Sequence, residues 1–141
     1  MDAPSPPRVL IADNDPDVRD LLGEVLRMRG AHTEVVDNGA QALARLGAGD
    51  IDLLVCDLDM PVLDGEGLLR ELESLPGAPP VLVVSGYVDA AIHARLQRSS
   101  HLRGVLRKPF DVMKFADHAL EIARPRGQGA PSPVAGHATS L

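Results

Sequence analysis

This sequence predicts an α/β fold whose parallel sheet is covered on both faces. Three observations carry the prediction. Five short apolar runs alternate with five segments of helical periodicity, always strand first and helix second. Several runs are continuously apolar, as in RVLIA (8–12), DLLVC (52–56) and PVLVVS (80–85), which is the pattern of strands buried on both sides. Helix-start signals follow the runs, at Asp15-Pro16, Asn38 and Asp111.

The elements follow in order. The first strand, 8–12, ends at Asp13. Asp15 then reads as an N-cap with Pro16 at the first helical position. Val18, Leu21, Leu22, Val25 and Leu26 give that helix one apolar face, and Gly30 closes it. AHTEVV (31–36) is a second strand, and Asn38-x-x-Gln41 resembles a capping box before Ala42, Leu43 and Leu46. After the strand at 52–56, a helix runs from Gly65 to Leu75 on Leu68, Leu69 and Leu72. The strand at 80–85 precedes a helix over 89–98, and GVLR (104–107) is a short fifth strand. Asp111 caps a last helix with Val112, Phe115, Ala116, Ala119 and Ile122 inward. The Pro/Gly-rich stretch 125–141 has no periodicity and reads as a flexible tail, and 1–7 as a disordered arm, leaving one domain over 8–124.

Composition narrows the function. The chain has 141 residues, 45% of them apolar, but no Trp, one Tyr and two Phe, so aliphatic side chains must fill the core. A formal charge of -6 disfavours direct contact with nucleic acid or an anionic membrane, which require a basic footprint. The single Cys56 rules out an internal disulfide and, within LLVC, reads as a buried, inert side chain. MDAPSPPR lacks the apolar segment of a signal peptide, and no apolar run approaches the roughly 20 residues of a membrane span, so the expected location is the cytoplasm.

Ligands of an open parallel sheet bind beyond the carboxyl ends of its strands. Those ends carry Asp13-Asn14-Asp15, Asp37-Asn38, Asp57-Leu58-Asp59, Ser85-Gly86 and Arg107-Lys108-Pro109. Local roles account for Asp15 as a cap, Asp37 and Asn38 as turn and cap, and Arg107 as a solvated cation. Asp13, Asp57, Ser85 and Lys108 have no such explanation, and together they are chemically coherent. Carboxylates suit Mg²⁺, a lysine supplies a point charge to phosphoryl oxygens, and a hydroxyl donates to a further oxygen. One carboxylate can attack phosphorus and become an acyl phosphate. Such a transfer needs mainly positioning and charge neutralisation. The five histidines show no metal-ligand spacing.

Four motifs in this order resemble the receiver domain of two-component response regulators. VLIADNDPDVR is similar to the acidic-pair motif, and LLVCDLDMPVLDG, with Met60-Pro61 and Asp64-Gly65, to the phosphoacceptor motif. VLVVSG resembles the strand that ends in Ser or Thr, and LRKPF the Lys-Pro motif. The resemblance covers 8–124 and implies a flavodoxin-like, doubly wound (βα)5 fold with strand order 2-1-3-4-5. It implies Asp57 as phosphoacceptor, served by a histidine kinase or histidine phosphotransfer protein. It implies a Mg²⁺ site from Asp13, Asn14, Asp57 and the backbone carbonyl of Asp59, with Ser85 and Lys108 on the phosphoryl oxygens and a cis Lys108-Pro109 bond. Tyr87 and Asp59, two residues after Ser85 and Asp57, hold positions that flank the water path to the acyl phosphate in the family, so the resemblance implies that they tune its lifetime. The expectation is a stand-alone regulator signalling to an unidentified protein through the helix at 89–98, the fifth strand and the last helix. Lys114, Asp117, His118 and Glu121 would line the exposed side of that last helix.

Two residues depart from the family. Asn14 stands where a second acid usually touches the metal, and Val105 where an aromatic side chain often switches rotamer. Val is small and stiff, so that switch is absent, and movement of the backbone at 86–90 and of the following helix is expected to replace it. With an acid at position 14, about -3 would face about +3 from Mg²⁺ and Lys108; Asn14 leaves the metal-loaded pocket near +1. The amide oxygen still coordinates, so weaker Mg²⁺ binding is expected, with less repulsion in the metal-free pocket.

Two other readings compete. One is a phosphorylation-independent pseudo-receiver, favoured by Asn14 and Val105 and opposed by Asp57, Ser85 and Lys108. The other is a haloacid-dehalogenase-type phosphatase, for which DLDMPVLDG supplies a DxD nucleophile motif. That family places its last acids after the lysine, where this chain's only aspartates are Asp111 and Asp117, within its final helical segment.

Overall fold

The computed structural model describes residues 5–123, so residues 1–4 of the expected arm and the expected tail at 125–141 lie outside the described residues. The elements run β1 (Arg8–Ala12), α1 (Pro16–Met28), β2 (His32–Val36), α2 (Gly39–Leu46), β3 (Leu53–Cys56), α3 (Gly65–Leu72), β4 (Val81–Ser85), α4 (Ala90–Leu96), β5 (Leu102–Arg107) and α5 (Val112–Ile122). The five strands are parallel and ordered β2-β1-β3-β4-β5, as expected.

Alternate residues of a strand point to opposite faces. Val9, Ile11, Leu53, Val55, Leu82 and Val84 therefore meet Leu22 and Leu26 of α1 and Phe115, Ala116 and Ala119 of α5. Leu10, Ala12, Leu54, Cys56, Val83 and Val105 meet Ala42 and Leu46 of α2, Leu68 and Leu72 of α3, and Leu96 of α4. Covering both faces is the physical reason for the continuous apolar runs. Each fully buried Leu or Val contributes about 1.5–3 kcal/mol, which lets a core with so few aromatic rings hold.

Every helix starts on an oxygen-bearing cap. Asp15, Asn38, Asp64, Asp89 and Asp111 each accept an amide of the following turn. The capping box at α2 is half formed. Asn38 accepts from the Gln41 amide at 2.8 Å, but the Gln41 side chain reaches back to the Asp37 amide at 3.3 Å instead of the cap's own. Several boundaries differ from expectation, by one residue at the starts of β2, β3 and β4 and by two at the end of α4, which stops at Leu96. α3 stops at Leu72, because Pro76 disfavours helical backbone at Leu75. β5 starts at Leu102, two residues early. Between Val81↔Leu102 and Leu82↔Gly104 one extra residue, Arg103, bulges out, and its guanidinium bonds the carbonyls of Ser100 and Leu102.

Candidate functional site

The sheet brings Asp13, Asp57, Ser85 and Lys108 together at its carboxyl edge. Ladder bonds continue past the strands and fix each backbone: Asp13 N to Val36 O at 3.2 Å, Asp57 N to Ala12 O at 2.9 Å, and Lys108 N to Ser85 O at 2.9 Å. The side chains follow. Asp13, Asp57 and Ser85 are only 2%, 6% and 3% exposed. Lys108 Nζ bridges the two acids, 3.0 Å from Asp13 Oδ2 and 3.4 Å from Asp57 Oδ2. The Lys108-Pro109 bond is cis.

Two carboxylates thus share one ammonium. Burial and then the charge of Asp13 push the Asp57 carboxyl above its ordinary range, against the Asp59 amide and Lys108, which favour the anion. Burial alone would lower Lys108, but the hydrogen bond to Asp13 and the charges of both acids raise it on balance, so it stays an ammonium. Asp13 Oδ1 also accepts from the Asp15 amide at 2.8 Å, and the Asp13 carbonyl accepts from Arg19. Asp57 Oδ1 accepts from the Asp59 amide at 3.3 Å.

An open cavity of about 560 Å³ lies over Asp57, Ser85 and Lys108, with Asn14, Asp59 and Tyr87 among its wall residues. A smaller one of about 170 Å³ lies between α3 and α4 on Leu69 and Leu96; its polar groups are already paired at the surface, Arg95 with Glu66 and Ser99 with Glu73, whereas the larger one gathers the buried acid, hydroxyl and lysine. Among the described residues no three His, Cys, Asp or Glu side chains form a ready-made metal cage. The donors still suit Mg²⁺, which takes one or two carboxylates and keeps several waters. Asp57 lines the cavity with Asp15, Asp59 and Glu66, Asp13 sits just behind it on Lys108, and Asn14 is exposed at the rim.

Several residues occupy other places than their local sequence suggested. Arg107 is not merely solvated, since its guanidinium donates to the Val88 carbonyl in the β4–α4 loop. His118 is half-buried with Nε2 lacking a partner, whereas Lys114, Asp117 and Glu121 are exposed. Burial lowers its pKa. Asp15 caps α1, as read from the sequence. Cys56 is fully buried beside the acceptor, its thiol pushed up by burial, and it is inert there. Tyr87 is exposed and donates from its hydroxyl to Asp89 at 3.1 Å, while Ser85 Oγ donates to the Tyr87 carbonyl at 3.5 Å. Gly65, expected as a helix start and part of a motif, also packs against the acceptor loop. A Cβ there would stand 2.5 Å from the Asp57 carbonyl oxygen, so only glycine lets α3 start against the acceptor loop. The available signal was a glycine directly after a helix cap, where a better helix former would otherwise be favoured.

The two aspartates after Lys108 have other work. Asp111 caps α5, and Asp117 pairs with Arg29 of α1 at 2.6 Å. Neither supplies the final acid that a phosphatase of the haloacid-dehalogenase type would need.

The sequence and fold have known relatives. Residues 9–119 match the family described as the response regulator receiver domain. The chain is 34% identical over 111 residues to the response regulator receiver protein Anae109_2439 of Anaeromyxobacter, covering 78% of this chain and 46% of that protein. It is 32% identical over 105 residues to the response regulator receiver protein CpdR of Brucella abortus, covering 74% of this chain and 87% of that one. Among solved structures, the receiver domain of the Francisella response regulator 1452 superposes with a TM-score of 0.74 at 27% identity, over 83% of this chain and 96% of that one. The chain spans about half the length of several curated relatives it matches, the Anaeromyxobacter protein among them.

Proposed function

The chain belongs to the response regulator receiver domain family, and from that premise we propose that Asp57 accepts a phosphoryl group from a histidine kinase or a histidine phosphotransfer protein. The observation that best supports this is Lys108, shared by two buried carboxylates. One ammonium cannot neutralise both, so the pocket holds about one surplus negative charge and room for a cation and a phosphoryl group.

In the transfer, a carboxylate oxygen of Asp57 attacks phosphorus in line. The Asp57 O–P bond forms as the donor's P–N bond breaks, and the histidine nitrogen leaves with the electron pair. Lys108 turns its charge from Asp13 toward a phosphoryl oxygen. Ser85 turns its hydroxyl proton from the Tyr87 carbonyl to another. Mg²⁺, when bound, neutralises phosphoryl charge, and Asp13, Asp57, the Asp59 carbonyl and the Asn14 amide are the groups that would hold it. Asn14 weakens that binding relative to an acid and reduces repulsion in the metal-free pocket. Asp59 and Tyr87, at the cavity wall, tune the lifetime of the acyl phosphate. Self-dephosphorylation is slow, and the domain is not an enzyme in the ordinary sense.

The signal passes to a protein partner through α4, β5 and α5, in the cytoplasm. The charge of -6 supports a protein over nucleic acid or membrane as direct partner. Among the described residues no helix is long and apolar enough to cross a membrane. Asn14 favours one other reading, a binding module that works without phosphate. Phosphotransfer profiling with labelled histidine kinases separates the two. Label should pass to the wild type from a cognate kinase and not to Asp57→Asn. Label retained by Asp57→Asn would refute the assignment.

A further inference from the structure

We infer that Arg107 is the positioning residue through which changes at Ser85 and Lys108 reach α4, doing from the end of β5 what Val105 cannot. The inference rests on the phosphoacceptor reading of Asp57. Arg107 stands between the two phosphoryl-holding side chains. It pairs with Ser85 in the β4–β5 register, and its chain neighbour Lys108 donates from its amide to the Ser85 carbonyl at 2.9 Å. Its guanidinium crosses to the β4–α4 loop and bonds the Val88 carbonyl.

That loop leads into a short helix, tied to α3 at its far end by Arg95 and Glu66 at 2.7 Å. α4 has seven residues, and Leu96 is its one fully buried side chain. Its start is held by polar contacts within 85–92. Ser85 Oγ donates to the Tyr87 carbonyl, the Tyr87 hydroxyl to Asp89, and Asp89 caps the helix through the Ile92 amide at 2.8 Å. A hydroxyl has one proton to give. When Ser85 turns it to a phosphoryl oxygen, the Tyr87 carbonyl loses that bond, and Arg107 becomes the side-chain tie between this loop and β5. Val105 is packed with Val88 and Leu96 in the core and has no rotamer switch to offer. A displacement of Lys108 is then carried by its neighbour Arg107 to Val88, and so to the cap of α4.

Hydrogen exchange read by mass spectrometry tests this on the full chain. Wild type, Arg107→Ala and Arg107→Lys are compared with and without a small phosphodonor and Mg²⁺, with intact mass read in parallel. Without donor, amides of 88–92 should exchange several-fold faster in Arg107→Ala than in wild type, and Arg107→Lys should restore part of the protection. With donor, all three should gain phosphate equally, yet exchange over 86–96 should change in wild type and not in Arg107→Ala. Wild-type exchange in Arg107→Ala without donor, or an undiminished donor-induced change, would overturn the inference. No phosphate on the wild type would overturn the phosphoacceptor reading instead, and the donor-free exchange would still decide whether Arg107 ties the loop.

Discussion

Charge is handled in opposite ways at the two edges of the sheet. At the amino edge, Arg45 forks between Glu34, at 2.7 Å from each oxygen, and Asp50, at 2.7 and 3.2 Å. Arg8 adds longer contacts to both acids. The Arg45 hydrogen bond is the largest influence on Glu34 and on Asp50, and both carboxyls are held below their ordinary range. At the carboxyl edge Asp57 moves the other way, raised by burial and by Asp13. The residue types are alike; the supply of cations and of water differs. Saturated, solvated pairs add little beyond local order. A buried pair of acids with one lysine is under-neutralised, and that shortfall is what a metal ion and a phosphoryl group can fill.

Substitutions at each edge can break this contrast. The largest effect is expected from Lys108→Gln, which leaves two buried carboxylates without a cation. The loss should be about 3 kcal/mol at pH 7 by urea denaturation. The sign with pH follows from Asp57. A carboxyl raised in the folded state adds stability at pH below its unfolded pKa and loses that contribution as pH rises through its folded one. Stability of Lys108→Gln should therefore recover on acidification. Next comes Asp57→Asn, which removes the destabilised anion and leaves Lys108 to Asp13. It should stabilise by about 1 kcal/mol near neutral pH, a few degrees in Tm, with the gain fading in acid. The smallest is Arg45→Met at the other edge, costing about 1 kcal/mol or less and less still in high salt, with phosphate uptake unchanged. If Arg45→Met cost as much as Lys108→Gln, the contrast between the edges would be wrong.

The elements, their order and the four converging site residues were legible in sequence because each has a local mark. Helical spacing, continuous apolar runs and acids at strand ends are all read within a few residues. Asp57 and Lys108 were visible for a second reason, since no cap or turn explained them. What escaped depends on contacts across the fold. Arg107 lies 19 residues from Val88 in the chain and carries no periodic signal of that bond. The extra residue at Arg103 follows from pairing with β4, which a single run cannot report. Gly65 is required by a carbonyl eight residues back, across the acceptor loop. His118 sits at the edge of an amphipathic face, where spacing alone does not decide burial.

One measurement bears most directly on the central claim that the under-neutralised carboxyl edge is a phosphoacceptor site. The wild-type chain is incubated with a small phosphodonor and Mg²⁺, and intact mass is followed with time beside Asp57→Asn. A single phosphoryl group should appear on the wild type, need more Mg²⁺ than Asn14→Asp does, and be absent from Asp57→Asn. No added mass on the wild type, or equal addition to Asp57→Asn, would contradict it.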